Sequence, residues 1–250
     1  MDRLATEPRD RLWYYEPWVR DQWLKSEAAA LPAGSWVLDA GAGASKYRPY
    51  FAHCRYETQD FCQYHGPLVQ YVQPIQYVCD IIAIPLPDRS LDAIVCTEVI
   101  EHVVDPMAVL REFARLLKPQ GKLFMTAPLL SSLHMEPFHY YGGFTCHWYR
   151  HWLPATGFSV HSVQPVGGPG RTCVVYLETM YNVWAEKERT LRPVARLASL
   201  ALRALWKVPA HFLFPRLLPK LDPWLGGATV CSGYLVSATR IAEPRNGRIE

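Results

Sequence analysis

A pair of glycines directly after a short apolar run is the clearest candidate for a ligand-binding turn in this chain. The run Val37-Leu38-Asp39-Ala40 leads into Gly41-Ala42-Gly43. Glycine has no Cβ atom, so its backbone can approach a ligand closely. The Asp39 carboxylate suits a ligand with a cationic amino group and disfavours a pyrophosphate. Position 46 is a lysine, so the G-x-G-x-x-G fingerprint of dinucleotide-binding proteins is incomplete.

Further acidic side chains follow this turn along the chain. Asp60 lies 19 residues after Gly41, where a carboxylate at the end of a second strand can bind the two hydroxyls of a ribose. Glu57 is the alternative for this role. Cys79-Asp80 and the segment Glu98-Val99-Ile100-Glu101-His102 come later in the chain.

A segment rich in histidine and aromatic residues occupies positions 131–152. Its histidines are His134, His139, His147 and His151, and near them lie Tyr140, Tyr141 and Arg150. Histidine titrates near neutral pH and can remove a proton from a hydroxyl group. The segment therefore offers candidates for a general base.

The elements that would position these residues alternate between β-rich apolar runs and helical patterns. The expected strands are residues 35–40, 55–60, 71–79 (interrupted by Pro74), 91–96, 122–128, 157–163 and 231–239. The expected helices are residues 11–31, a helix from Asp105 that stops at Pro119 and Gly121, and 145–154 with Thr145 as its cap. This alternation indicates a parallel sheet with right-handed crossovers, in which ligands bind at the carboxyl ends of the strands.

Taken in this order, the motifs resemble those of class I S-adenosylmethionine-dependent methyltransferases, and among them the type 11 methyltransferases. The D-x-G-x-G at residues 39–43 is similar to their motif I, and residues 90–103 and 116–123 are similar to their later strands and turns. The resemblance extends over about residues 36–127. It implies an α/β, Rossmann-like, seven-stranded methyltransferase fold with an N-terminal helical lid and a helical insertion before the last strand.

We therefore expect residues 1–250 to form a single methyltransferase domain. Its expected parts are a lid helix at 11–31, a cofactor-binding core at 33–163, an insertion at 164–228 and the last strand at 229–240. The implied reaction is transfer of a methyl group, which we expect to be O-methylation of a sugar, glycolipid or small-molecule acceptor. The alternatives are a nicotinamide-dependent oxidoreductase with an atypical glycine loop and a non-catalytic cofactor-binding module.

The resemblance also assigns roles to residues at the strand ends. It implies that Asp39, Gly41 and Gly43 hold the methionine part of S-adenosylmethionine, Asp60 the ribose, Cys79 and Asp80 the adenine, and that Glu98 and His102 line the pocket floor. Some methyltransferases use an E-x-x-E-H pattern like that of residues 98–102, with a later histidine, to hold a divalent metal that activates hydroxyl groups. In many relatives the histidine lines the cofactor pocket without a metal, and we expect no metal here.

By position, the segment around residues 134–141 should face the acceptor. We expect His134 or His139 to be the general base and Tyr140, Tyr141 and Arg150 to bind the substrate. Similar proteins often carry an H-x-x-P-x-D-x-x-R-x-T pattern here. This chain has no arginine before Thr145, so the resemblance does not specify the class of acceptor.

The expected insertion contains a basic amphipathic helix. Seven Lys or Arg and no acid lie between Arg189 and Lys220. At 100° per residue, Arg192, Arg196, Ser199, Arg203 and Lys207 form one stripe, and apolar residues cover the rest. One hypothesis is peripheral contact of residues 189–220 with an anionic membrane surface. The other is a helical cap on the core with its basic face in water. The pattern disfavours nucleic acid, because it lacks spaced stacking aromatics.

Composition limits the remaining possibilities. Half of the residues are hydrophobic and 20% are charged, which is typical of a globular chain. The seven cysteines are scattered and contain no C-x-x-C pair, so a disulfide scaffold or a thiolate zinc site is disfavoured. The charged N-terminus lacks the apolar run of a secretory signal. We expect a cytoplasmic protein, with peripheral contact at the inner membrane surface as the variant that the basic helix suggests.

Overall fold

The computed structural model describes residues 14–226 and 230–241. Within them, seven strands form one sheet in the order β3-β2-β1-β4-β5-β7-β6. The strands are β1 (Trp36–Ala40), β2 (Arg55–Asp60), β3 (Tyr77–Val78), β4 (Leu91–Thr97), β5 (Leu117–Pro128), β6 (Phe158–Val166) and β7 (Gly233–Arg240). This arrangement confirms the predicted seven-stranded methyltransferase fold.

The helices are α1 (Tyr15–Ala29), α2 (Pro106–Leu116), α3 (Cys146–Ala155), α4 (Pro169–Lys187), α5 (Pro193–Val208) and α6 (Phe214–Leu217). Short 3-10 turns lie at Arg48–Phe51, Ile100–His102, Glu188–Thr190 and Leu218–Leu221, and a π-helical turn lies at Pro209–Leu213. No helix among the described residues has both the length and the hydropathy needed to cross a bilayer.

Both faces of the central strands β1 and β4 are buried, which explains the nearly continuous apolar runs in these strands. Successive residues of β1 point to opposite faces: Val37 packs with Leu24 of α1, whereas Leu38 packs with Phe113 of α2. At the edge of the α1 contact, the rings of Trp23 and Phe124 meet edge-to-face with centroids 6.1 Å apart. Helices on the two faces therefore hold the strand ends in fixed relative positions.

Local signals explain where α2 and α3 begin. The Asp105 side chain caps α2 by accepting hydrogen bonds from the backbone N–H groups of Met107 and Ala108, at 2.9 and 3.0 Å. The Thr145 hydroxyl caps α3 by accepting from the Trp148 N–H at 3.2 Å. Such caps satisfy donors that a helix leaves free in its first turn.

Three sequence predictions about the sheet are corrected. The sheet is mixed, because β7 runs antiparallel between β5 and β6. Helix α2 ends at Leu116 rather than at Pro119 or Gly121, and β5 begins at once with Leu117, which pairs with Leu91. Strand β3 is only two residues long, since Pro74 lacks the N–H that a longer ladder would use.

Two residues in the middle of the polar stripe of α5, Ser199 and Arg203, face inward, whereas Arg192, Arg196 and Lys207 are exposed. Ser199 is buried, and its hydroxyl accepts a hydrogen bond from the Trp184 indole at 2.7 Å. The Arg203 guanidinium pairs with Glu188 at 3.0 Å and donates to the Tyr181 hydroxyl at 3.2 Å. This differs from the helical-cap hypothesis, in which the whole basic stripe faces water. The predicted lid and insertion extend beyond the described residues at 11–13 and 227–228, and residue 229 of the predicted last strand also lies outside them.

Candidate active site

The glycine turn lies at the carboxyl end of β1 and is tied to β2. The backbone N–H groups of Gly41 and Ala42 donate to the Gln59 carbonyl at 2.8 and 2.9 Å. Gly41 has a φ of +73°, and a Cβ atom there would lie 2.4 Å from a methyl carbon of Val99. Gly43 also has a positive φ, +51°. The turn therefore requires glycine at position 41 on two grounds, backbone conformation and lack of space.

Asp39 is buried beside this turn. Its side chain is 2% exposed and accepts a hydrogen bond from the Tyr56 hydroxyl. Burial raises the pKa of Asp39 to about 7, although the hydrogen bond from Tyr56 acts in the opposite direction. A cationic ligand group beside this carboxylate would favour its ionised form. The Asp39 carboxylate thus fits the positively charged amino group of S-adenosylmethionine.

Two cavities adjoin Gly41. The larger has a volume of about 500 Å³ and is lined by Asp39, Gly43 and His134, among other residues. The smaller, about 230 Å³, is lined by Asp80 and by aromatic residues that include Phe61 and Tyr140. A cavity with charged lining residues and a cavity with aromatic lining residues, both next to one glycine, suit a ligand with an amino-acid part and a base.

Asp60 lies between these cavities and lines neither. Its carboxylate accepts hydrogen bonds from the backbone N–H groups of Gly43 and Cys62, both at 2.9 Å, and from the Tyr71 hydroxyl at 3.2 Å. It stands at the predicted place, and a ribose would have to share or replace these donors. Glu57, the alternative, is held by Trp36 and by other side chains of the sheet surface.

The two residues predicted to contact adenine, Asp80 and Cys79, have different surroundings in the structure. Asp80 lines the smaller cavity and accepts from the Ile82 N–H at 3.1 Å. Cys79 lines neither cavity, and its carbonyl accepts from the Gln59 side chain at 2.7 Å. The Cys79 N–H also donates to the Asp60 carbonyl at 3.2 Å, so Cys79 is tied to the end of β2 through its backbone.

Glu98 follows β4 with a left-handed backbone, at a φ of +55°. Its carboxylate accepts from the Thr126 hydroxyl at 2.7 Å and pairs with the Arg20 guanidinium at 3.1 Å. Glu98 and His102 both line the larger cavity, and their contact with the cofactor stays a prediction. The ion pair links the floor of the cavity to α1.

Three histidine rings gather beside the larger cavity. The centroid of His134 lies 4.7 Å from that of His102 and 4.4 Å from that of His139. Glu101, which is 1% exposed, lies beneath them with its Oε1 3.8 Å from Nε2 of His102. Burial lowers the pKa of His102 to about 4 and raises that of Glu101 well above its usual range.

The ring nitrogens of the predicted bases have different surroundings. Nδ1 of His134 lies 2.9 Å from the Ser132 carbonyl, so in the neutral ring the proton belongs on Nδ1 and Nε2 keeps its lone pair. Nδ1 of His139 accepts the His134 backbone N–H at 3.3 Å, which leaves the proton on Nε2. Of the two, His134 has the geometry of a base.

The predicted substrate-binding residues do not come together. Tyr140 lines the smaller cavity, on the cofactor side. Tyr141 lines neither cavity and donates its hydroxyl to the Val104 carbonyl at 2.8 Å. Arg150 is an exposed residue of α3 and also lines neither. Their substrate-binding roles gain no support from this geometry.

Sequence reasoning did not identify two walls of the larger cavity. Glu16 and Arg20 reach it from α1, and Thr172, Tyr176 and Thr179 reach it from α4. Glu16 and Arg20 are four residues apart and therefore share one face of α1. This spacing in an aromatic-rich helix could have indicated a polar face that lines a cavity. Residues 172, 176 and 179 share one face of α4, but nothing local indicates that this face lines a cavity.

Comparison with known proteins agrees with this geometry. Residues 38–125 match the family model described as a methyltransferase domain. A ubiquinone biosynthesis O-methyltransferase from Xanthomonas oryzae pv. oryzae is 37% identical over 116 residues, which cover 42% of this chain and 46% of that protein. The chain thus matches about half the length of this curated relative.

Residues 38–125 carry a methyltransferase domain of the class I S-adenosylmethionine-dependent type. This finding confirms the family predicted from the motifs.

Solved structures support the fold of this methyltransferase domain. A methyltransferase from Mesorhizobium loti aligns with a TM-score of 0.51 and 15% identity, covering 88% of this chain and 98% of that one. The [4+2]-cyclase SpnF aligns with a TM-score of 0.54 and 16% identity, covering 89% and 82%. At such identities the likeness concerns the fold alone.

Proposed function

We propose that this chain binds S-adenosylmethionine and transfers its methyl group to a hydroxyl oxygen of a small acceptor. The observation that supports this most directly is the larger cavity, which has Asp39 and the glycine turn on one side and His134 on another. One cavity thus contains both a site for a cationic amino group and a candidate base.

The residues present suit each part of the cofactor. Asp39 and the turn at Gly41 and Gly43 would hold the methionine part, Asp60 the ribose, and Asp80 with the smaller cavity the adenine. When bound, the cofactor supplies an electrophilic methyl group on a positively charged sulfur. The protein must then align an acceptor oxygen with that carbon, exclude water and remove a proton.

His134 is the residue we assign to proton removal. With the cofactor bound, methyl transfer to an acceptor hydroxyl would leave the bonding electrons on the cofactor's sulfur, and Nε2 of His134 would take the hydroxyl proton. The hydrogen bond from Nδ1 to the Ser132 carbonyl orients the ring for this step. His139, with its proton on Nε2, is assigned a hydrogen-bond donor role rather than that of the base.

The acceptor class is argued from a relative and from the cavity. The Xanthomonas oryzae relative is named as an O-methyltransferase, which supports transfer to oxygen. The nicotinamide-dependent alternative is disfavoured by the order β3-β2-β1-β4-β5-β7-β6 with an antiparallel β7, since dinucleotide-binding sheets are parallel with order 3-2-1-4-5-6. SpnF shares the fold and is named a [4+2]-cyclase, so the fold alone does not establish methyl transfer, and the non-catalytic cofactor-binding module stays the second candidate.

The test is release of S-adenosylhomocysteine with a panel of sugar and phenolic acceptors. Each acceptor is offered as a free head group and as the same head group on an alkyl chain. We expect turnover with at least one hydroxylated acceptor and its loss in His134→Ala, with cofactor binding retained. Cofactor binding without turnover on any acceptor would favour the non-catalytic module.

We further propose that the insertion contacts an anionic membrane surface, where a lipid-linked acceptor would be met. Helix α5 turns Ser199 and Arg203 inward, and its apolar residues face outward: Val194 is 82% exposed, Leu197 69% and Leu205 75%. An outward apolar face of this kind is costly in water.

Charge complementarity favours an anionic bilayer over a neutral apolar partner. Arg192, Arg196 and Lys207 of the same region are exposed, as are Arg216 and Lys220 further on. Basic side chains beside an apolar face are typical of interfacial helices. Co-sedimentation with vesicles tests the proposal: we expect binding to phosphatidylglycerol-containing vesicles and much weaker binding to pure phosphatidylcholine. Equal binding to both, or none to either, would contradict it.

A further inference from the structure

Three side chains with metal-binding atoms converge at the edge of the larger cavity. Glu101, His102 and His134 each offer one ligand atom, and these atoms all lie within 4.8 Å of one another. All three residues line the cavity. One carboxylate and two imidazoles form a ligand set that divalent transition metals occupy in catalytic sites.

Both histidines are oriented as metal ligands usually are. Nδ1 of His102 lies 2.7 Å from the Phe138 carbonyl, and Nδ1 of His134 lies 2.9 Å from the Ser132 carbonyl. Each carbonyl accepts the proton of one ring nitrogen, so Nε2 is left as a lone pair in both rings. Outer hydrogen bonds of this kind fix the tautomer and the direction of a ligating histidine.

The carboxylate lacks a partner for one of its oxygens. Oε2 of Glu101 is buried and forms no hydrogen bond among the described residues. A buried carboxylate oxygen without a partner is costly, and a cation beside it would remove that cost. The orphaned oxygen belongs to the carboxylate whose Oε1 lies 3.8 Å from Nε2 of His102, and its lack of a partner is an observation independent of the histidine geometry.

The set differs from the E-x-x-E-H pattern. Glu98, the first residue of that pattern, is occupied by Arg20 and by Thr126 and is not part of the converging group. The third ligand comes instead from His134, on the segment after β5. His139, whose ring centroid is 5.5 Å from that of His102, stands beside the set with Nε2 unbonded among the described residues.

We infer that Glu101, His102 and His134 bind a divalent transition metal ion, Zn²⁺ being the ion that best suits one oxygen and two nitrogen ligands. A fourth position would face the cavity, where an acceptor hydroxyl could bind and lose its proton more readily. That catalytic part rests on the proposed methyl transfer, and it would give His134 a ligand role in place of the base. The metal site itself does not depend on it. The inference also departs from the expectation of no metal made from the sequence.

The experiment uses the full chain after chelation, without cofactor or acceptor. Zn²⁺ is titrated by calorimetry, and Co²⁺ by its visible absorption, which reports coordination number and ligand type. We expect one ion per chain and a Co²⁺ spectrum of low coordination number without thiolate bands. His134→Ala and Glu101→Gln should each weaken binding by at least about tenfold to a hundredfold. His147→Ala, a change of the same type at an exposed position of α3, is the matched control and should bind as the unmodified chain does.

Three results would overturn the inference. They are absence of one-to-one binding, equal affinity of His134→Ala and His147→Ala, and thiolate bands that place the ion on cysteines. Circular dichroism shows whether each variant is folded, and His134 lies in a loop, so its replacement leaves the sheet intact. Binding of S-adenosylhomocysteine by the chelated chain keeps this test separate from the proposed function. If the cofactor binds and the metal does not, the inference of a metal site is contradicted and the proposed function is not.

Discussion

The two sides of the larger cavity are built in different ways. On the cofactor side, Asp39 and Gly41 lie at the end of β1, a buried strand with neighbours on both sides. On the acceptor side, His134 lies in the segment between β5 and α3, and Tyr176 lies on α4 of the insertion. Sheet pairing fixes the first side, whereas the second depends on contacts between loops and helices.

Because the two sides are held in different ways, changes to them should have different effects. The segment after β5 is tied to the rest of the site by the Tyr140 and Tyr141 N–H groups, which donate to the Glu101 carbonyl at 2.9 and 3.2 Å. Helix α4 is tied to α5 through Trp184 and Ser199. We therefore expect changes on the cofactor side to have the larger effects on cofactor binding, and changes on the acceptor side to alter which acceptor is used.

The largest effect is expected from Gly41→Ala. A φ of +73° costs an alanine about 1 kcal/mol or more, and its Cβ would clash with Val99. The turn must move, so we expect affinity for S-adenosylhomocysteine to fall by more than about a hundredfold, roughly the effect of 2.7 kcal/mol. Calorimetry measures the affinity.

Gly34→Ala is the matched control for this change. Gly34 has a similar φ of +80°, but a Cβ there would meet nothing within 4 Å. It should lower the free energy of unfolding by about 1 kcal/mol and leave cofactor affinity unchanged. Equal losses of affinity in both variants would mean that general strain, rather than the turn, controls binding.

Asp39→Asn is expected to have the next largest effect. Removing a charge-assisted contact to the cofactor amino group should weaken binding by roughly tenfold to a hundredfold. Because burial raises the pKa of Asp39 to about 7, the unmodified chain should bind S-adenosylhomocysteine more tightly as the pH rises from about 6 to about 8. The variant should show a smaller change over this interval, and parallel profiles would contradict the assigned role.

The same residue makes a prediction about stability. A carboxyl whose pKa is raised by folding favours the folded state most at low pH, and this contribution is lost as the pH rises from about 4 through about 7. Asp39→Asn should therefore flatten the fall in the free energy of unfolding over that interval. Urea denaturation at several pH values measures it.

A smaller effect is expected on the acceptor side from Leu197→Ser with Leu205→Ser. Both side chains are exposed on α5, so the fold should be retained, while each would lose about 1.5–3 kcal/mol of burial in a bilayer. We expect binding to phosphatidylglycerol-containing vesicles to fall by at least about tenfold, with cofactor affinity unchanged. The matched control is Val72→Ser, because Val72 is exposed and lies outside the insertion. A buried leucine such as Leu24 is unsuitable, since its replacement by serine would destabilise the fold.

The smallest effect is expected from Arg150→Ala. The side chain is exposed and lines neither cavity, so stability should change by no more than about 0.5 kcal/mol, and turnover should be unaltered. A large loss of turnover would restore the substrate-binding role predicted from the sequence and place the acceptor beside α3.

Most of the fold was predictable because its signals are local. Strand β4 occupies Leu91–Thr97, one residue longer than predicted, and Thr145 caps α3 as predicted, since an apolar run and a capping side chain act within a few residues. The direction of β7 was not predictable from its own residues. It depends on the chain returning from the insertion to the gap between β5 and β6.

The residues around the candidate site were likewise predictable only where the signal is local in the sequence. Gly41 and Asp39 were identified because a strand and a turn lie side by side in the sequence. The inward orientation of Arg203 was not, because its partners Glu188 and Tyr181 belong to other elements. The wall formed by Thr172 and neighbouring residues of α4 was missed for the same reason: helical periodicity shows which residues share a face, but not what that face meets.

The most direct test of the central claim is calorimetric titration of S-adenosylhomocysteine into the full chain, with NADH titrated in parallel. We expect one-to-one binding of S-adenosylhomocysteine, loss of that binding in Gly41→Ala, and no binding of NADH. A folded chain that binds NADH and not S-adenosylhomocysteine would contradict the claim that this turn and its two cavities hold the cofactor of a methyltransferase.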